Sequence, residues 1–198
     1  MVNDKLPKGV EGTFVEFIVK GRDGKVLYHE VKESDSFVAN YYRIIAKLLG
    51  CATGVLFEDV NGDMLEVVSP NKMDLSALAG DDSKGIVVGT GTTSPSPHDA
   101  RLVSKIANGT GSGQLSYQAC DVSPPAIEGS DTYFEVSRDF KNESGADITV
   151  YEIGEIAEVN LSGGGTTKAL IFRHVESGGI TVPNGATLTV KIKHKITT

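Results

Sequence analysis

The last run of the chain, Thr187 to Thr197, constrains its fold more than any other segment. Leu188, Val190, Ile192, His194 and Ile196 alternate there with Thr187, Thr189, Lys191, Lys193 and Lys195. A period of two puts successive side chains on opposite faces of an extended strand, so the run predicts a strand with one dry and one wet face. The same rhythm recurs upstream. TYFEVSRDF sets Phe134, Val136 and Phe140 on one face, and ADITVYEIGEIAEV and KALIFRHV are apolar runs rich in β-branched residues.

Turn signals separate these runs. Asp23-Gly24 lies between TFVEFIVK and KVLYHEVKE, Asn61-Gly62 between VLFED and DMLEVV, and Asn184-Gly185 just before the terminal strand. A tight primed turn needs positive φ at both central residues, so each pair predicts a hairpin. Pro70 ends the second hairpin and 71–84 reads as loop. Asp59, Asn61 and Asp63 alternate as calcium-loop ligands would, but Gly62 comes one position early and the later glutamate is missing, which favours a plain hairpin turn.

One segment follows a different period. In SDSFVANYYRIIAKLLG, Phe37, Val38, Tyr41, Ile44, Ile45, Leu48 and Leu49 recur at spacings of three and four. Ser34, Asp35 or Ser36 can serve as N-cap and Gly50 as the stop, which predicts an amphipathic helix at about residues 36–49 with Arg43 and Lys47 toward solvent. Ile86 to Val88 read as a short buried strand. Ser96-Pro97-His98-Asp99 predicts a short capped helical turn starting at Ser96. Many short strands and one helix predict a mainly β fold, an antiparallel β-sandwich or jelly-roll-like domain. The 198 residues suit a single domain, with a possible subdivision into 1–80 and 85–198.

Composition narrows function. A net charge of -7 argues against binding a phosphate backbone, which takes clustered Lys and Arg. No nucleic-acid partner is expected. The absence of a long apolar run argues against a membrane span, and Met1 to Gly9 lack the apolar run of a secretory signal, so a product that is cytoplasmic as synthesised is expected. Cys51 and Cys120 have neither disulfide nor zinc spacing and read as small apolar residues.

No chemistry stands out. Gly89 to Thr93, GTGTT, lacks the Gly-Lys-Ser/Thr and long helix of a phosphate loop. His29, His98, His174 and His194 show no metal spacing, and His98-Asp99 beside Ser94 and Ser96 lacks the geometry of a triad. Glu152, Glu155 and Glu158 fall close together, but a glycosidase cleft wants aromatic platforms and the chain has no Trp. They read as a solvated strand face or a subunit contact. The residues therefore predict no enzyme, no catalytic residue, no cofactor and no metal. Lys191, Lys193 and Lys195 form a basic strip, either the guarded edge or solvated face of a terminal strand or a strip that meets an acidic patch of another copy.

GIVVGTGTTSPSPHDARLVSKIANGTGSGQLSY, SRDFKNESGADITVYEIGEIA and ALIFRHVESGGITVPNGATLTVKIKHKI together resemble a group of tailed-bacteriophage and prophage structural proteins. In that group a VGTGTTxPxxxDxxL segment precedes an R.F.N.SGA.ITV.EIG strand pair and an ITVPNG.TLTV terminus. The resemblance covers roughly residues 85–196 and departs from the pattern at Glu155. It implies a virion component, with the tail or tail-proximal region favoured and the capsid surface possible. It would act as a homo-oligomer docking onto other virion structural proteins. Phe37, Tyr41, Ile45 and Leu48 of the helix and Lys191, Lys193 and Lys195 of the terminal strand are the expected assembly contacts. The alternative is a host-recognition or glycan-binding β-sandwich using exposed tyrosines such as Tyr117, Tyr133 and Tyr151.

Overall fold

The computed structural model describes residues 12–34, 37–50, 54–67, 72–161 and 164–197. Its larger sheet joins β1 (Gly12–Lys20), β2 (Val26–Ser34), β7 (Ser116–Val122), β9 (Asp131–Lys141) and β12 (Thr187–Thr197) in the order β2-β1-β12-β9-β7, with β8 (Ala126–Glu128) alongside β9. The smaller sheet is built on β10 (Ile148–Asn160), which pairs with β11 (Thr166–Val182) on one side and with β5 (Met73–Asp74) and β6 (Gly85–Gly89) on the other. β3 (Val55–Glu58) and β4 (Met64–Val67) form a separate hairpin, and α1 (Ala39–Leu48) packs against β3 and β11. All these ladders are antiparallel.

The fold is mainly β and β-sandwich-like, as the alternation predicts. Val15, Phe17 and Val19 of β1, Val136 and Phe140 of β9 and Leu188, Val190 and Ile192 of β12 join Val150, Ile153, Leu170 and Phe172 of the smaller sheet in one buried cluster. A fully buried Phe or Ile contributes about 1.5–3 kcal/mol by leaving water. The period-two pattern of β12 holds through Ile192 and then reverses: Lys195 is 4% exposed and Ile196 is 59% exposed.

The hairpin expectations need correction. The turn at Asp23-Gly24 is not a two-residue primed turn. Gly24 N–H donates to Gly21 C=O and Gly21 N–H to Lys25 C=O, and only Gly24 has positive φ, +77°. This is a type I turn closed by a left-handed glycine, which also suits the twist of a hairpin. Asn184-Gly185 is no hairpin at all. Ala186 N–H donates to Pro183 C=O there, but β11 and β12 lie in different sheets, so the turn carries the chain from one layer to the other. β12 is consequently flanked by β1 and β9, and the guarded-edge reading of its lysines is wrong.

The helix is shorter than its pattern, starting at Ala39 with Val38 as N-cap and no side-chain cap bond. Val38 N–H donates to Ile171 C=O and Ala39 N–H to Pro97 C=O, so segments distant in sequence take over the capping role. Of the expected caps, Ser34 ends β2, while Asp35 and Ser36 lie outside the described residues, as do Pro70 and Cys51. Gly50, at φ +97°, terminates the helix as expected.

The β3–β4 hairpin at Asn61-Gly62 forms, but with the same turn as β1–β2: Gly62 N–H donates to Asp59 C=O, Asp59 N–H to Asp63 C=O, and Gly62 has positive φ, +94°, while Asn61 does not. A two-stranded ribbon is marginal alone, and this one is tied down by Asp59. Its carboxylate accepts the backbone N–H of Asn61 (2.8 Å) and Asp63 (3.0 Å) and the hydroxyl of Thr167 on β11 (2.8 Å). Replacing Asp59 by Asn should remove the charge from these bonds and lower stability by about 1–2 kcal/mol, read as a fall in the melting temperature. An unchanged melting curve would mean that the hairpin is held by its other contacts, such as buried Phe57 and the Asn40 bond to Glu58 C=O.

Candidate functional site

The three glutamates of YEIGEIAEV meet three separate fates on β10. Glu152 and Glu155 are fully buried, so the solvated-face reading fails for both. Glu152 lies under the segment between β6 and β7, with Arg173 of β11 beside it. The Arg173 Nε and Nη2 both donate to Glu152 Oε2, at 3.0 and 2.9 Å. The same carboxylate accepts backbone N–H groups from Gly91 (3.0 Å), Val103 (3.0 Å) and Ser104 (2.6 Å). The glycine-rich GTGTT segment thus presents one amide, that of Gly91, to an anion, and the anion is the chain's own carboxylate.

This arrangement explains residues that otherwise look like loop filler. A Cβ on Gly91 would lie 2.5 Å from Glu152 Oε1, and one on Gly89 2.6 Å from it. Leu102 closes over Gly154, where a Cβ would sit 2.5 Å from the leucine Cδ1. The capping expected at Ser96 is present, but on a single turn and not a helical one: Asp99 N–H donates to Ser96 C=O, Ser96 N–H donates to the Asp99 carboxylate and Ser96 Oγ accepts from His98 N–H. Asp99 also accepts from Arg173 Nη1 at 2.9 Å, while Arg173 donates to the carbonyls of Thr93 and Ser94. His98 itself is exposed.

A second buried arginine, Arg138, occupies the inward series of β9 between Val136 and Phe140. It donates to five backbone carbonyls, those of Leu78, Asp81, Lys84, Ile86 and Gln118, and lies 4.7 Å over the Tyr117 ring. Tyr117 is 1% exposed and donates to Ile106 C=O, which removes it from the surface tyrosines expected for binding. Cys120 is buried beside it, and burial pushes its thiol up to about 11, which makes it a poor nucleophile. Asn142 closes the R.F.N.SGA segment, donating to Ala146 and Val182 carbonyls and accepting from Ser144.

Glu155 faces the other way, between the sheets, with His194 Nε2 of β12 3.3 Å from its carboxylate. His194 stacks on Phe37 (centroids 5.4 Å apart) and lies against Phe134 (4.7 Å), and Phe37 stacks on Tyr41 (4.1 Å). These side chains, with Thr13, Tyr133, Lys195 and others, line an open cleft of about 400 Å³. It sits where β1 and β9 begin and β12 ends. Lys195 Nζ is held by Asp131 at 3.1 Å. Close by, on the inner face of β11, His174 bonds Ser34 Oγ at 2.9 Å, and its burial keeps it below the ordinary histidine range despite Glu176 3.9 Å away.

The seven expected assembly residues therefore divide. Phe37, Tyr41 and Lys195 converge on the cleft. Ile45 is half-buried and Leu48 exposed, at the far end of α1. Lys191 and Lys193 lie on the outer face of the larger sheet, 3.3 Å from Glu16 and 3.5 Å from Glu135 on the flanking strands. Sequence reading missed Arg138, Glu152, Arg173 and Asp99 as partners. The available signal was a charged residue in the inward phase of a strand, since buried charges need partners. No family model matches the chain, and no curated protein or solved structure matches it significantly.

Breaking one side of a buried ion pair costs more than removing both partners. Glu152→Gln should destabilise the fold by about 3–5 kcal/mol and speed hydrogen exchange at the amides of Gly91, Val103 and Ser104. Adding Arg173→Met should restore part of the loss. If the single variant melts and exchanges like the parent, the pair does not anchor the loop.

Glu158, the third glutamate, binds Lys72 and Lys168 at the sheet margin, and these bonds lower its pKa to about 2. A lowered carboxyl pKa stabilises the folded state above the unfolded value of about 4.3 and stops doing so as pH falls through the folded value. Glu158→Gln should therefore melt below the parent at pH 6, and the two curves should converge as the pH approaches 2. A difference that persists at pH 2 would assign the effect to packing.

Proposed function

We propose that the protein is a structural component of a tailed-phage virion, with the tail or tail-proximal region favoured, acting by self-assembly and by docking onto other virion proteins. The observation that carries the reading is where the resemblance falls. Gly89, Gly91, Asp99, Leu102, Arg138, Asn142, Glu152, Gly154 and Arg173 all belong to the quoted segments, and they build the two arginine clamps and the turn beside them. A motif made of frame residues is what a shared architecture leaves in sequence. A shared reaction would leave exposed reactive groups instead.

The surface suits repeated contacts. β2 ends the larger sheet and carries half-exposed Val26 and Leu27, at 50% and 52%. An unpaired strand edge is a template for another chain, and symmetric assembly reuses one such patch in every copy. Leu48 and Leu49 at the end of α1 add a second apolar patch. The interior position of β12 removes it from strand addition and leaves β2 as an edge that carries exposed apolar residues, while Lys191 and Lys193 lie on the outer face of the sheet.

The native mass at micromolar concentration and binding to purified phage particles test the proposal. The expected result is a closed ring or particle-bound protein, with Val26→Lys plus Leu27→Lys weakening assembly about tenfold. A stable monomer that stays off particles would overturn it.

A further inference from the structure

The cleft at the open end of the sandwich plays no part in the clamps or the strand edges. Its walls are aromatic: the stacked Phe37–Tyr41 pair, Phe134 and Tyr133. Its polar atoms are hydroxyls, an imidazole and the Lys195 ammonium. His194 Nδ1 is only loosely engaged, 3.5 Å from Thr13 Oγ1, and Tyr41 brings a hydroxyl to the lining, while the Tyr133 hydroxyl already donates to Glu128 at 3.1 Å. Apolar walls with a few placed polar groups are the usual make-up of a small-molecule site.

The charges select the ligand class. Lys195 is paired with Asp131, and the buried Glu155 carboxylate lies behind His194, where its charge disfavours an anion. A cation finds the aromatic face it would use already taken, because the Lys193 ammonium lies 5.3 Å over the Tyr133 ring. A purely apolar ring would cover the Thr13 and His194 polar atoms without replacing their water, which costs free energy. A ring with one C–H face and hydroxyls at its rim meets both demands, stacking on the walls and bonding at the edge.

We propose that the cleft bounded by Phe37, Tyr41, Tyr133, Phe134, Thr13 and His194 binds a neutral pyranose ring, as a single sugar or as one residue of a glycan. This goes beyond the assembly reading and stands or falls separately, because it is measured on whatever oligomer the chain forms. One open cleft with a single ring implies weak binding, in the millimolar range.

The test is NMR titration of the full chain with methyl glycosides of glucose, galactose, N-acetylglucosamine and rhamnose, alongside phenol and choline as probes of the competing ligand classes. The expected result is shift changes centred on Thr13, Phe37, Tyr133 and His194 with at least one glycoside. Tyr133→Leu keeps apolar bulk but removes the aromatic face, and it should weaken that binding about tenfold with the melting temperature retained. Tighter binding of the matching oligosaccharide would assign the source to a glycan, and equal binding to a single sugar. Phenol or choline outbinding every glycoside would overturn the proposal. So would the absence of glycoside shifts at the cleft, or glycoside binding untouched by Tyr133→Leu when Tyr41→Ala also leaves it unchanged.

Discussion

The buried pair of Glu152 and Arg173 is the constraint on which the smaller sheet depends. Two charges with no solvent exposure carry a desolvation cost that their attraction recovers only if every remaining donor and lone pair is used. Here they are used on backbone: three amides point at the carboxylate and two carbonyls accept from the guanidinium. The segment from β6 to β7, which has little regular structure to satisfy its own peptide groups, finds its partners in this pair. The requirement works in both directions, since the loop solvates the charges and the charges define the path of the loop.

Arg138 solves the complementary problem in the other layer. It has no carboxylate within ion-pair distance among the described residues and instead meets five carbonyls, which matches the five N–H donors of a guanidinium. Those carbonyls belong to the 78–86 connection and to β7, so one side chain of the larger sheet holds the approach to β6 of the smaller one. The two arginines thereby tie long connections to strands that sequence separation would otherwise leave independent. Among the described residues, no strand pairs with the outer edge of β2.

The β-rich character was legible because period two, β-branching and Gly turns are local properties. The final strand, the β1–β2 hairpin and the β3–β4 hairpin follow from them directly. The helix was legible in type and shifted at its start, because Val38 and Ala39 are capped by Ile171 and Pro97 rather than by a nearby side chain. The capped turn at Ser96 was also local, whereas the second role of Asp99, on Arg173, joins residues 74 positions apart. Glu152, Glu155 and Glu158 look alike in sequence, and only their neighbours on β6, β11 and β12 assign one to a loop, one to the inter-sheet space and one to a lysine cluster.

What the amino-acid sequence by itself determined is therefore the set of extended and turning segments and the residues that must be buried, since these follow from backbone sterics and hydrophobic period. Tertiary structure alone decided which strands pair, that Asn184-Gly185 joins two layers instead of two neighbours, that β12 lies inside its sheet, and that Phe37, Tyr41 and His194 meet in a cleft. Those outcomes depend on contacts between distant residues. A tight turn allows either a hairpin or a crossing, and the packing of the whole core selects between them.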